Sequence, residues 1–109
     1  MLYLKVKSIA LHLSKEQAKE FIGLCRAHAE ISAKDAGNIK FEMKYVKLPG
    51  AVKVIFLELW KDRESLENHA AASAKREHVS KINAMRSYKE TIEREIDVED
   101  IDAIVKRKK

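Results

Sequence analysis

The sequence predicts an α+β fold in which the elements follow the order strand, helix, strand, strand, helix, strand. Apolar and polar residues alternate in four segments, and this period of two is typical of β-strands. Two other segments repeat their apolar residues every three or four positions, as amphipathic helices do. This order corresponds to a ferredoxin-like βαββαβ arrangement, a four-stranded antiparallel sheet with both helices on one face.

Residues 2–13 alternate as a strand, but the apolar phase changes after Ser8. Such a change predicts a β-bulge or sharp twist near residues 7–8, because one extra residue re-aims every later side chain. Ser14 and Gln17 then form a capping box, which starts a helix. Its apolar stripe comprises Ala18, Phe21, Ile22, Cys25 and Ala29, with a weaker stripe at Leu24, His28 and Ile31. We expect this helix to stop at Gly37.

The second and third strands are predicted at 38–48 and 52–61, joined by a turn at Pro49 and Gly50. The middle of the third strand is apolar on both faces, so both faces should be buried. The helices of a chain of 109 residues can cover only one of them. We therefore expect a homodimer in which two sheets pair to form a dimeric α/β barrel.

The second helical region is predicted over 63–85, with Asp62 as N-cap and a break near Ser73. Residues 89–98 suit either an edge strand or a helix, and the topology favours the strand. We expect one domain over 1–98 and a C-terminal extension over 99–109 that ends in a basic tail.

Composition excludes several classes of protein. Hydrophobic residues make up 46% of the chain, which is enough for a packed core and argues against disorder. No apolar run approaches the roughly 20 residues of a membrane helix, and lysines interrupt the apolar N-terminus where a secretory signal would be continuous. We expect a cytoplasmic protein with no membrane partner. The single cysteine, Cys25, excludes an internal disulfide and a multi-cysteine zinc site.

The net charge of +5 comes largely from the tail. Four of the 22 basic residues occupy 106–109, and the remaining 18 face 17 acidic residues. Nucleic-acid-binding proteins usually cluster basic residues on one face and add stacking aromatics. Here acids and bases are mixed and only 6% of residues are aromatic, so we expect no nucleic-acid partner.

Two segments resemble the antibiotic biosynthesis monooxygenase family, which includes small quinol monooxygenases. DAGNIKFE at 35–42 is similar to the family pattern PGC-x-x-Y/F-E that opens the second strand. Residues 56–69 are similar to its most recognisable stretch, E-x-W/Y-x-D-x-x-A/S-L-x-x-H, with Glu58, Trp60 and His69 in register. The resemblance covers roughly residues 1–98. It implies a homodimer with a pocket between sheet and helices, and chemistry with dioxygen that needs neither metal nor flavin.

The chain also departs from that family. Members often carry a second His about five residues after the first, where this chain has Ala74; its next His is His78. The similar haem-degrading branch uses an Asn on the first strand with a Trp and a His on the second helix. Ile9 or Ala10 stands near that Asn and His69 near that Trp, so the triad is not reproduced.

Chemistry with dioxygen predicts which residues form the site. Dioxygen is a triplet, so without a metal or flavin the substrate itself must supply the electron, as deprotonated hydroquinones do. Such a site needs a base, a dry apolar wall and hydrogen-bond donors for the developing oxyanion. We expect His69 to be the base and Glu58 to orient it, with Trp60, Phe56 and Ser8 binding substrate. His69 and His78 lack the i, i+4 spacing of a helical zinc pair, so we expect no metal.

The sequence therefore predicts a cofactor-independent monooxygenase that oxidises an aromatic hydroquinone or polyphenol with dioxygen. The alternative is a non-catalytic module of the same fold that binds a small ligand or serves dimerisation. An open apolar cavity lined by Glu58, Trp60 and His69 would favour the enzyme, and a closed, water-free pocket too small for an aromatic ring beside His69 would favour the alternative. Haem binding or degradation is a third, less favoured interpretation.

Overall fold

The computed structural model describes residues 1–96 and has the predicted βαββαβ order, with the second helical region divided in two. The elements are β1 (Leu2–Ala10), α1 (Lys15–Ser32), β2 (Asn38–Leu48), β3 (Ala51–Trp60), α2 (Arg63–Ser73), α3 (Glu77–Met85) and β4 (Tyr88–Glu95). The expected extension over 99–109, and the domain boundary at 98, lie outside the described residues.

The four strands form one antiparallel sheet in the order β2-β3-β1-β4. The two central strands bury every second side chain against the helices, and α1 packs its predicted apolar stripe onto them. This arrangement confirms the ferredoxin-like fold. The core contains these side chains of β1, β3 and α1: Leu2, Leu4, Val6, Ala10, Ala18, Phe21, Ile22, Cys25, Ala29, Val52, Val54, Phe56 and Trp60.

The predicted bulge in β1 is wrong. β1 pairs with β3 and β4 without any shift of register, and Ser8 and Ala10 continue the inward row instead of leaving it. The strand ends at Ala10, and Leu11 lies beyond it with 46% of its surface exposed. Ser8 interrupts the apolar pattern of the sequence but not the alternation of inward and outward side chains along the strand. Its hydroxyl can be buried because the guanidinium of Arg86 donates a hydrogen bond to it.

The sheet's irregularity lies instead at the start of β2, between Asn38 and Lys40. The side-chain amide of Asn38 donates to the backbone carbonyls of Lys40 and Leu59 at 3.1 and 3.4 Å. These two hydrogen bonds satisfy backbone carbonyls at the point where the hydrogen-bond ladder between β2 and β3 is disrupted.

The helix starts agree with the predicted caps. The Ser14 hydroxyl accepts from the Gln17 backbone N–H at 3.1 Å, and the Gln17 side chain accepts from the Ser14 N–H at 2.9 Å. Asp62 caps α2 by accepting from the Ser65 N–H at 2.8 Å. The predicted break near Ser73 is confirmed, since α2 ends there. The end of α1 was predicted too late: the helix stops at Ser32, and residues 33–37 form turns that lead to Gly37.

Candidate active site

A cavity of about 340 Å³ lies between the inner face of the sheet and helices α2 and α3. Its volume falls in the range of small-molecule sites. Side chains from α1, β1, β3 and β4 also reach it. The apolar lining comprises Leu4, Val6, Phe56, Leu66, Ala70, Ala74, Val79 and Ile82, and the polar lining comprises His28, Glu58, His69, Ser73, Asn83, Arg86, Lys89 and Thr91.

His69 lies on α2, is only 7% exposed and lines this cavity. Its Nδ1 lies 2.7 Å from Oδ2 of Asp35, a residue of the turn that follows α1. Asp35 is in turn held by both terminal nitrogens of Arg76, at 2.7 and 3.1 Å. Arg76 precedes α3, so three segments far apart in sequence meet at one carboxylate.

This network determines which nitrogen of His69 carries the proton. The hydrogen bonds from Arg76 and His69 keep the pKa of Asp35 below its ordinary value, so Asp35 is an ionised acceptor at neutral pH. A carboxylate can only accept, and Nδ1 of His69 must therefore donate to it. In the neutral imidazole Nε2 then carries the lone pair, which makes it the basic nitrogen available to a molecule in the cavity.

Trp60 lies behind His69 and does not line the cavity. It is fully buried, and its ring is tilted by 31° to the imidazole with the centroids 4.6 Å apart. Its indole N–H donates to Oε1 of Glu58 at 2.9 Å. Trp60 thus supports the two predicted catalytic side chains from below, whereas the sequence predicted that it would contact the substrate.

Glu58 is 6% exposed, and its carboxyl group faces the cavity. Burial raises its pKa; the hydrogen bond from Trp60 and the nearby His69 and Lys89 oppose this effect. The sequence predicted that Glu58 orients His69, but the carboxylate that accepts a hydrogen bond from the imidazole is that of Asp35. The sequence could not reveal this exchange, since Asp35 lies 34 positions from His69.

The two other predicted substrate contacts differ from each other. Phe56 lines the cavity beside Glu58. Ser8 is fully buried and does not line it. Its hydroxyl accepts a hydrogen bond from Nη1 of Arg86 at 3.2 Å, so Ser8 contacts a lining residue and not the cavity itself.

His28 lines the cavity and contacts His78, and the sequence analysis selected neither as a site residue. Nδ1 of His28 lies 3.2 Å from Nε2 of His78, and the His28 ring packs edge-on against Phe56 and Phe41. Burial lowers the pKa of His28 to about 4, so this imidazole is neutral at pH 7. Its place on the weaker stripe of α1 was the one signal that it faces inward.

Residues 1–96 show no signature of a metal site or of a membrane-spanning helix. In this range no three His, Cys, Asp or Glu side chains are grouped so that they could hold a metal ion. Across the same range no helix is both long and apolar enough to span a bilayer.

Comparison with known proteins identifies the family. The antibiotic biosynthesis monooxygenase family matches residues 6–81, which is most of the chain. The chain belongs to this family. No curated protein matches it.

Solved structures of the antibiotic biosynthesis monooxygenase family have the same fold. A Deinococcus radiodurans protein provisionally assigned to it superposes with a TM-score of 0.73 at 15% identity, covering 89% of this chain and 93% of that one. A similarly assigned protein from Nitrosomonas europaea gives 0.66 at 15% identity, with 88% and 98% covered. SnoaB, a cofactor-independent oxygenase from Streptomyces nogalater, gives 0.65 at 14% identity, with 88% and 93% covered.

The structure explains the spacing of the family-like stretch at 56–69. Glu58 and Trp60 lie on the inner face of β3, two residues apart, as the strand period requires. Asp62 caps α2 immediately afterwards. His69, seven residues after the cap, then lies two turns along the helix, where its ring stacks on Trp60. The stretch thus forms the end of β3 and the first turns of α2, which lie side by side at the site.

Proposed function

We propose that the protein is a monooxygenase that oxidises an aromatic hydroquinone or polyphenol with dioxygen and needs neither metal nor flavin. Membership of the antibiotic biosynthesis monooxygenase family supports this proposal. The observation that carries it is the His69–Asp35 pair at the wall of a cavity large enough for an aromatic ring. A buried histidine with a fixed tautomer is the base that this chemistry requires.

In the proposed reaction, Nε2 of His69 takes the phenolic proton and makes the ring electron-rich. The substrate anion gives one electron to dioxygen, and the resulting radical and superoxide combine to form a carbon–oxygen bond. The proton returns to the peroxide from His69. The hydroperoxide then loses water by breaking its O–O bond and the C–H bond of the carbon that carries it, which leaves a carbonyl. One oxygen atom of dioxygen enters the product and the other leaves as water, so atoms and electrons balance.

Each remaining residue has a role in this proposal. Asp35 is a positioning residue that stabilises the imidazolium formed when His69 accepts the proton. Glu58, whose pKa is raised by burial, can donate a hydrogen bond to the developing oxyanion in its protonated form. Phe56 supplies an apolar wall for the ring. Trp60 holds His69 and Glu58 in place.

The alternative of a non-catalytic ligand-binding module predicts a pocket too small for an aromatic ring. A cavity of about 340 Å³ with a histidine and a carboxyl group on its wall supports the enzyme instead. The sequence predicted that Trp60 would also line this cavity. Trp60 instead lies behind the wall and contacts His69 and Glu58.

The proposal is tested by measuring dioxygen consumption with a panel of quinols. We expect His69→Ala to lower kcat/KM by about 100-fold or more, the usual contribution of a general base. We expect Asp35→Asn to lower it by about tenfold or more, because an amide can stabilise the wrong tautomer.

His12→Asn is the matched control. His12 is an exposed histidine with a φ of 57°, a left-handed conformation that asparagine tolerates. The control should consume dioxygen at the wild-type rate. Equal rates for wild type and His69→Ala would remove His69 from the mechanism, and no turnover of any quinol by the wild type would refute the proposed function.

A further inference from the structure

The cavity has a positively charged end that the proposed reaction does not use. Arg86, which follows α3, and Lys89 on β4 both line it, and we call this pair the cation end. The hydrogen bonds of Arg86 go to Ser8 Oγ and Asn83 Oδ1, both of which are neutral. Within residues 1–96 neither cation forms an ion pair with a carboxylate.

The register of the sheet separates the cation end from the base. Lys89 pairs with Ser8 on β1, while Glu58 pairs with Leu4, four residues away on the same strand. Four residues of strand span about 13 Å between Cα atoms. The long side chains of Lys89 and Glu58 extend from these positions into the cavity and shorten the gap between their charged groups. The cavity is therefore polar at both ends and apolar between them, where Val6 and Phe56 lie.

Arg86 is partly buried, and a partly buried cation without an ion-pair partner is costly, since burial removes water that would otherwise solvate the charge. Desolvation by burial lowers the pKa of both Arg86 and Lys89. Among the described residues, the only carboxyl group that lines the cavity is Glu58, which attracts Lys89 but forms no ion pair with it or with Arg86. An anionic group brought in by a bound molecule would supply the missing counter-charge.

We propose that the substrate carries a carboxylate that Arg86 and Lys89 bind, with its oxidisable ring directed towards His69. This inference rests on the proposed function for the reacting end and names the substrate class as aromatic hydroxy acids. Two hydrogen bonds to neutral oxygens leave Arg86 with unused N–H donors, and a guanidinium matches the planar geometry of a carboxylate. Lys89 adds a second charge beside it.

The test uses two stable ligands that differ only in the acid group, 6-hydroxy-2-naphthoic acid and 2-naphthol. In the acid, the hydroxyl and the carboxylate lie at opposite ends of the ring system, as the cavity requires. Binding of each is measured by calorimetry at pH 7, without turnover. We expect the wild type to bind the acid about tenfold more tightly or better, as charge-assisted hydrogen bonds provide. The readout in every variant is the ratio of the two affinities, so a general loss of binding does not affect it.

Arg86→Gln and Lys89→Gln should each lower this ratio several-fold, and Arg86→Lys should keep part of it. Lys81→Gln is the matched control, because Lys81 lies on α3 but its side chain is 55% exposed and pairs with Glu77. It should keep the wild-type ratio. Lys89→Gln keeps the test valid if Arg86→Gln fails to fold, since Arg86 also bridges Ser8 and Asn83.

Equal affinities of the wild type for both ligands, or no binding of the acid, would overturn this inference. So would a ratio unchanged in both glutamine variants. The failure of the proposed function gives a different result. A protein that prefers the acid but consumes no dioxygen would refute the oxygenase proposal and support the carboxylate site. His69-dependent dioxygen consumption without a preference for the acid would support the oxygenase proposal and refute the carboxylate site.

Discussion

The four histidines of the chain show how one residue type acquires different chemistry from its surroundings. His12 is exposed on a turn, and His69 is oriented by an ionised aspartate. His28 and His78 share a hydrogen bond inside the molecule, and burial lowers the pKa of both. Only His69 combines a fixed tautomer with a place on the cavity wall and a hydrogen-bonded carboxylate.

Burial of His28 makes the fold sensitive to acid. Its pKa is about 4 in the folded chain and near 6.5 when unfolded, so between these values the unfolded chain binds a proton that the folded chain does not. The free energy of unfolding should therefore fall as pH drops through this window, by up to about 3 kcal/mol. His28→Gln should flatten the dependence, measured by urea unfolding between pH 7 and 4.5.

Other titrating groups also contribute to the slope. The lowered pKa of His78 acts in the same sense as that of His28 and remains in the His28→Gln variant, so the dependence should be flattened and not abolished. The raised pKa of Glu58 acts in the opposite sense over part of the window and is common to both proteins. The contribution of Asp35 is lost only at lower pH, because its pKa lies below the ordinary value. The exposed control His12→Asn should keep the wild-type slope. A slope that is the same for His28→Gln and wild type would contradict the burial effect.

At the scale of the elements, one close approach determines where Asp35 lies. Gly37 has a φ of 83°, and a Cβ at this position would collide with the side chain of Ser65 on α2. Ser65 cannot easily move, because its hydroxyl and its backbone N–H both donate to Asp62. The backbone carbonyl of Gly37 accepts from Lys61 at 2.8 Å. The turn before β2 is thus clamped against the start of α2, two residues after Asp35.

Gly37→Ala should destabilise the protein by about 2 kcal/mol or more, since it combines a left-handed backbone with a steric collision. Gly50→Ala is the matched control. Gly50 has a φ of 73° but open space around it, so only the backbone cost of about 1 kcal/mol applies. Chemical denaturation measures both variants. Equal losses would show that the contact with Ser65 contributes nothing to stability.

At the scale of the whole molecule, the outer face of the sheet carries exposed apolar side chains. Val46, Ile55, Leu57 and Ile92 point away from the helices, and we call these residues the open face. Val46 and Ile92 are exposed by 53% and 46%. Apolar side chains collected on one face favour association with a partner. The homodimer stays a prediction, as do the cytoplasmic location and the absence of a nucleic-acid partner.

Leu57→Glu should convert the predicted dimer into single chains, because it places a charge in the middle of the open face. Light scattering should report twice the chain mass of 12.5 kDa for the wild type and 12.5 kDa for the variant. Ile31→Glu on α1 is the control: Ile31 is a 39% exposed apolar residue away from the sheet, and its variant should stay dimeric. A wild type that stays monomeric at micromolar concentration would contradict the prediction.

The sequence by itself determined the elements and their order, because those depend on interactions within a few residues. The capping box at Ser14, the cap at Asp62 and the alternation of the strands are all local, and so is the stretch that brings His69 against Trp60. The same local pattern failed at Ser8, whose inward place depends on a guanidinium 78 positions away.

Only the tertiary structure decided what surrounds the base. Asp35 reaches His69 across 34 positions and Arg76 across 41, and no periodicity links these residues in the sequence. Arg86 and Lys89 meet at one end of the cavity only when α3 and β4 close it. Local patterns specify which side of an element is apolar. The partner of a charged group depends on which distant segments the packing of the core brings within a few ångströms.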